Sequence, residues 1–266
     1  MKEYNFWNYN FQFELHEKSE LTSNLIRQYG CSVDMECVYA YTKFLNKEDI
    51  YVDLGANIGW ELMFAAQMTN QCIAVEPDKD NATLLRKNLD ANQMNNVIVA
   101  ECAVSDSIGK AQLFSSNDNF GNHILNPMYI SEEHDSHYEV PVETLDSLFA
   151  QLNVDQSKIK LIKMDIQGSE SYALNGGKEF FSKYRPKIIF EYSPFHLKQC
   201  GSSPFDILSF IDKYDYRPFF FTKIDIVNPV FNMVPLDFLE IVKETPRLLE
   251  QASYENFCLI HSSELV

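Results

Sequence analysis

The 266-residue chain is 45% hydrophobic and 14% aromatic, enough for a sizeable core in one α/β domain with an added segment. Its 22 basic and 38 acidic side chains give a formal net charge of −16; this repels polyanions and argues against nucleic acid and anionic membranes as partners, since affinity for phosphates rests on Lys and Arg. No stretch approaches the roughly eighteen apolar residues of a membrane span, and the opening "MKEYNFWNYN" lacks the apolar run of a secretory leader, so a soluble, cytoplasmic protein is expected.

From Trp7 to Leu15, apolar Trp7, Tyr9, Phe11, Phe13 and Leu15 alternate with polar residues. This period of two predicts a half-buried strand packed on the domain, with an acceptor-stacking aromatic surface as the alternative reading. Helical patterns follow over 21–29 and, after an N-cap at Ser32, over 33–45. Residues 1–45 are therefore expected to form an N-terminal cap on a domain spanning 46–266.

Beyond the cap, apolar strands alternate with helices. "IYVDL" precedes the helix "WELMFAAQM", "CIAVEP" precedes "NATLLRKNLDAN", and "VIVAECAV" comes next. "KLIKMDI" leads to "ESYALNGG" and "KIIFEY" to "SPFDILSFIDKY", while "YRPFFF" and "NFCLIH" are the last two strands. The pattern predicts a doubly wound, Rossmann-like α/β fold with a seven-stranded, mainly parallel sheet, its last two strands antiparallel to each other. Some 55 residues separate "VIVAECAV" from "KLIKMDI", too many for a simple crossover. A β-rich insertion is expected at about 107–145, where "KAQLFSS" and "HYEVPVETL" flank a polar loop, 117–136, suited to a lid or substrate platform.

The six cysteines, Cys31, Cys37, Cys72, Cys102, Cys200 and Cys258, include no C-x-x-C pair, and buried free thiols are expected. The ligand signals lie elsewhere. "VDLGANIGWE" packs a strand end, a tight loop and a helix start into ten residues, which predicts backbone N–H groups offered to a ligand at the carboxyl end of the sheet. Gly55-x-x-x-Gly59 departs from G-x-G-x-x-G, so a dinucleotide pyrophosphate site is weakly supported. Glu76 ends the second strand twenty-one residues after Gly55, where a carboxylate accepts hydrogen bonds from both hydroxyls of a ribose. Its alternative role is an acid complementing the following helix, and Asp53 either touches the ligand or bonds its own loop. This pairing of acid and loop suits S-adenosylmethionine, whose amino-acid end needs no phosphate cradle and whose sulfonium is cationic.

The chain resembles the FkbM family of S-adenosylmethionine-dependent methyltransferases. "VDLGANIG", "AVEP", "VETLDSL", "IKMDIQGSE" and "KIIFEYSP" stand in the family's order and at its spacing over roughly residues 45–200. The resemblance implies the class I methyltransferase fold, cofactor contacts at Asp53, Gly55, Asn57, Gly59 and Glu76, and methyl transfer to an oxygen of a small or saccharide acceptor. One departure is Gln167, where the family commonly has Glu.

Asp165 ends the fourth strand and Glu191 the fifth, which places both carboxylates in the cleft. Asp165 is the first candidate for base or acceptor-orienting group and Glu191 the second; the pair could also hold a hard divalent cation. His123 and His196 are possible proton shuttles that read more simply as surface or packed histidines. His134-Asp135-Ser136-His137 reads as a solvated turn before a metal site. Two rival functions remain at this stage: a nicotinamide-dependent oxidoreductase, which would use the same ribose acid, and a non-catalytic S-adenosylmethionine-binding module, which Gln167 favours.

Overall fold

The structure is a computed structural model, described for residues 1–6, 9–17, 21–29, 35–116, 123–125, 134–223, 231–251 and 253–265. Trp7, Ser32, Cys31 and most of the polar loop 117–136 fall outside the described residues.

The N-terminus is a hairpin of β1 (Lys2–Phe6) and antiparallel β2 (Tyr9–Phe13). The alternation predicted one strand from Trp7 to Leu15. The segment before it supplies the partner, because Tyr4 is buried between exposed Glu3 and Asn5, the same period of two. Tyr4 and Phe13 meet Trp60 edge-on at 5.9 and 5.2 Å, so the aromatic face packs on the domain. The helices α1 (Leu21–Tyr29) and α2 (Met35–Phe44) follow.

The first half of the main sheet comprises β3 (Ile50–Leu54), α3 (Trp60–Met68), β4 (Gln71–Val75), α4 (Lys79–Ala91) and β5 (Val97–Ala100). All five residues of β3 are buried, the reason its sequence is apolar but for Asp53. Ile50, Val52 and Leu54 join the core under one face with Phe149 and Phe181, while Tyr51 joins the core under the other with Tyr41, Trp60 and Phe64.

Next, β6 (Ala103–Val104), β7 (Gly109–Ser116), β8 (Ile124–Leu125) and β9 (His134–Glu143) form a separate four-stranded sheet in the order β6-β9-β7-β8. Ala111, Leu113, Val140 and Val142 form part of its own small core. The chain returns through α5 (Leu145–Gln151), capped by Thr144 on the Ser147 N–H, to β10 (Ile159–Met164), α6 (Glu170–Gly176) and α7 (Lys178–Lys183). It ends with β11 (Lys187–Tyr192), α8 (Pro194–Gln199), α9 (Pro204–Lys213), β12 (Tyr216–Lys223), β13 (Phe231–Pro235), α10 (Phe238–Gln251) and β14 (Glu255–His261).

The main sheet has eight strands in the order β13-β12-β14-β11-β10-β3-β4-β5. All seven expected strands are in it, and β12 and β14 pair antiparallel as predicted. The eighth, β13, adds antiparallel to β12 at the edge; its five residues, FNMVP, are too short to show a period. From β3 the chain runs outward to β4 and β5, then comes back to β10 on the other side of β3. The strand order therefore reverses between β3 and β10, the place where open α/β sheets bind ligands.

Candidate active site

Beyond β3 the chain turns through three left-handed residues, Gly55 (φ 87), Asn57 (φ 50) and Gly59 (φ 90). Glycine at 55 is dictated by a neighbour, because a Cβ there would lie 1.9 Å from the carbonyl oxygen of Asp165. The expected row of free backbone N–H groups is not what the loop presents. Gly55 and Ala56 donate to the Val75 carbonyl at 2.9 and 3.1 Å, and Gly59 donates to the Ala56 carbonyl at 2.9 Å. The glycines thus serve a tight turn laid directly on the end of β10.

Asn57 sends its N–H to Glu76 Oε2 at 2.7 Å, which joins the loop to the predicted ribose acid. Glu76 Oε1 accepts the Asp78 N–H at 2.9 Å and the Asn81 carboxamide at 3.5 Å. The helix cap is Asp78, whose Oδ1 accepts the N–H groups of Asp80 and Asn81. Glu76 is thereby left to the loop side. Burial pushes its carboxyl up to about 8, against the pull of the Asp78 and Asn57 N–H groups.

Behind the loop lies a buried charge cluster. Lys163 on β10, only 6% exposed, stands in register with Asp53 on β3. Its ammonium is 3.2 Å from Glu61 Oε2 and 3.2 Å from Asp165 Oδ2. Burial alone would lower the Lys163 pKa, but Glu61, Asp165 and Asp53 hold it well above its ordinary value. Burial pushes the Asp53 carboxyl up to about 6, an effect only partly offset by Lys163. Asp53 Oδ1 is buried with no hydrogen-bond partner among the described residues.

Asp165 and Glu191 are brought together through Gln167, whose Nε2 donates to Asp165 Oδ1 at 2.7 Å and to Glu191 Oε2 at 3.2 Å. Asp165 is the more accessible, with 26% of its side chain exposed against 9% for Glu191. The turn carrying Gln167 is left-handed at two successive residues, Gln167 (φ 51) and Gly168 (φ 95). Glu170 secures it by accepting the Ile166 and Gly168 N–H groups at 3.1 and 3.3 Å. Burial pushes Glu170 up to about 7.

Of the histidines, His196 is at this site, its Nδ1 3.9 Å from Glu191 Oε2. His123 lies instead beside Asp78, 3.5 Å from its Oδ2, which also accepts the Tyr138 hydroxyl at 2.5 Å. His137 stacks on Phe114. Among the described residues no three His, Cys, Asp or Glu side chains are grouped to hold a metal ion, and the gap between Asp165 and Glu191 is filled by an amide. Cys37, Cys72, Cys102, Cys200 and Cys258 are free and buried. Among the described residues no helix is long and apolar enough to cross a membrane.

Lys163, Glu61 and the bridging role of Gln167 escaped the sequence reading. A Lys inside the apolar strand "LIKM" is itself a signal, since a buried ammonium requires carboxylate partners.

Residues 53–218 match the Methyltransferase FkbM domain. The chain belongs to the FkbM methyltransferase family, and its doubly wound sheet, with the strand order reversed between β3 and β10, is the fold of a class I methyltransferase. Among curated proteins it is similar to the 2-O-methyltransferase NoeI of Sinorhizobium fredii, 31% identical over 164 residues, which is 56% of this chain and 65% of that protein. Among solved structures it is similar to methyltransferase FkbM from Methylobacillus flagellatus, with 18% identity and a TM-score of 0.42 over 74% of this chain and 56% of the other. Precorrin-6y C5,15-methyltransferase of Geobacter metallireducens has 8% identity and a TM-score of 0.47, over 89% and 95% of the two chains.

Proposed function

We propose that this methyltransferase uses S-adenosylmethionine and methylates a hydroxyl of a small or saccharide acceptor. The observation that carries this reading is the gathering of acids at the strand reversal. Glu76 is bonded to the glycine loop, and Asp53, Glu61, Asp165 and Glu191 gather on the neighbouring strand ends and helix. Such a cluster offers hydrogen-bond acceptors and negative charge. It suits a ligand rich in donors and positive charge, as the ribose hydroxyls, ammonium and sulfonium of S-adenosylmethionine are. A pyrophosphate needs the opposite, and the commitment of the loop N–H groups to Val75 and Glu76 supports this reading over a nicotinamide dinucleotide.

Glu76 would hold the ribose hydroxyls, and Asp53 Oδ1, a buried acceptor without a hydrogen-bond partner among the described residues, suits a cationic group of the donor. When bound, the donor supplies an activated methyl group for in-line displacement by the acceptor oxygen. The protein's share is alignment, exclusion of water and removal of the hydroxyl proton. Asp165 is assigned that last task as the more exposed acid, with Lys163 at its Oδ2 balancing the charge. Glu191, held to it through Gln167, orients the acceptor. The 2-O-methyltransferase name of the Sinorhizobium relative supports a hydroxyl acceptor, and the net charge of −16 favours a small molecule over nucleic acid.

Incubating the protein with methyl-labelled donor and a pooled saccharide and metabolite extract tests the reaction. A labelled ether on a hydroxyl-bearing product is expected, abolished by Asp165→Asn. Label confined to nitrogen, or to RNA, would contradict the assignment.

A further inference from the structure

The edge of β2 and the residues just after it are bonded by carboxamides of α4 and of its C-cap, Asn92. Asn92 accepts the Gln12 N–H at 2.8 Å and donates to the Gln12 carbonyl at 2.6 Å. Asn88, fully buried, accepts the Glu14 N–H at 2.7 Å and donates to the Glu14 carbonyl at 3.1 Å. Further toward the helix start, Asn81 Oδ1 meets His16 Nε2 at 2.8 Å. Alternate strand residues stand about 6.8 Å apart and helix residues four apart about 6 Å, which is why two asparagines at that interval fit Gln12 and Glu14. The Arg27 guanidinium holds the His16 carbonyl.

The same asparagines reach the glycine loop and the ribose acid from the opposite side. Asn88 Nδ2 donates to the Ile58 carbonyl at 3.0 Å, inside the loop. Asn81 Nδ2 donates to Glu76 Oε1 at 3.5 Å. A carboxamide has one accepting end and one donating end. With His16 on the oxygen, the NH₂ group is turned toward Glu76. Without His16 the Asn81 oxygen loses that donor, and the hold of the amide on Glu76 is weakened.

We propose that His16 and Asn81 are positioning residues for Glu76, so that the N-terminal segment at residues 12–16 takes part in donor binding. The inference rests on the reading of Glu76 as the ribose acid. His16 Nε2–H fixes the Asn81 amide, and that amide, with the backbone N–H groups of Asn57 and Asp78, fixes the carboxylate. Docking of the segment and affinity for the donor are therefore coupled, each favouring the other.

S-Adenosylhomocysteine, a non-reactive probe of the donor site, is titrated calorimetrically into wild type, His16→Ala, Asn81→Ala, Glu76→Ala and the double variant His16→Ala/Glu76→Ala. Both positioning variants are expected to bind at least threefold more weakly. His16→Ala should cost nothing further once Glu76 is gone, and His16→Gln, which keeps a donor, should recover part of the loss. A merely structural role would weaken binding equally in both backgrounds, and that result overturns the proposal, as does unchanged affinity in His16→Ala. His16 is only partly buried, so its variants carry the test if Asn81→Ala fails to fold. Failure of the probe to bind wild type would instead bring down the donor reading itself.

Discussion

As the proposed ribose acid, Glu76 meets opposing demands, since burial favours its neutral form while two ribose hydroxyls favour the anion. With its free-state carboxyl at about 8, donor binding must expel a proton at neutral pH. Affinity for the donor should therefore rise with pH, about tenfold per unit below 8 and levelling above it. Calorimetry from pH 6 to 9 checks this, and Glu76→Gln should flatten the profile. At Gly55 the expected outcome is steric. Alanine would meet the Asp165 carbonyl at 1.9 Å and must hold φ 87, so Gly55→Ala should cost on the order of 1–3 kcal/mol in backbone strain and abolish donor binding. At Gln167, glutamate would replace the donor shared by Asp165 and Glu191 with a third negative charge. A loss of about 1–3 kcal/mol in denaturant unfolding is expected for Gln167→Glu. The positions of Asp53, Gly55 and Glu76 were legible because loop and strand end lie close along the chain. The Lys163 cluster and the Gln167 bridge were not, because they arise where strands β3, β10 and β11 become neighbours, which spacing along the sequence does not reveal.

Among the elements, the strongly patterned ones were legible. The mostly apolar runs of β3 and β11 declare burial on both faces, and α3 and β10 are buried over most of their length. The partner strand β1 and the edge strand β13 were missed, being five residues each with weak or overlooked alternation. The hairpin has an energetic role that follows from its packing. Phe13 is 1% exposed and meets Trp60, the first residue of α3, at 5.2 Å. Phe13→Ala should destabilise the fold by about 3–5 kcal/mol, measured by denaturant unfolding. A change below about 1 kcal/mol would mean that the hairpin is an appendage with no share in the core.

For the molecule as a whole, the site concentrates buried carboxylates in an already acidic protein. Burial raises Asp53 to about 6, Glu170 to about 7 and Glu76 to about 8, against ordinary values of about 4. The native state then keeps protons that the unfolded chain has lost. The stabilisation from these groups is complete below about pH 4 and disappears as pH rises through 6 to 8. The ligand-free melting temperature should accordingly fall between pH 6 and 8.5, and a rise would contradict the burial argument. Topology explains why the strain is concentrated here. The strand order reverses between β3 and β10, where the glycine loop meets Glu76 and Asp165. On the proposed function Glu76 holds the ribose of the methyl donor, and calorimetric titration of S-adenosylmethionine into wild type and Glu76→Ala tests that grip. Loss of charge-assisted hydrogen bonds worth about 1.5–3 kcal/mol predicts affinity at least tenfold weaker in the variant. Equal affinity in the two proteins would mean that Glu76 does not hold the ribose.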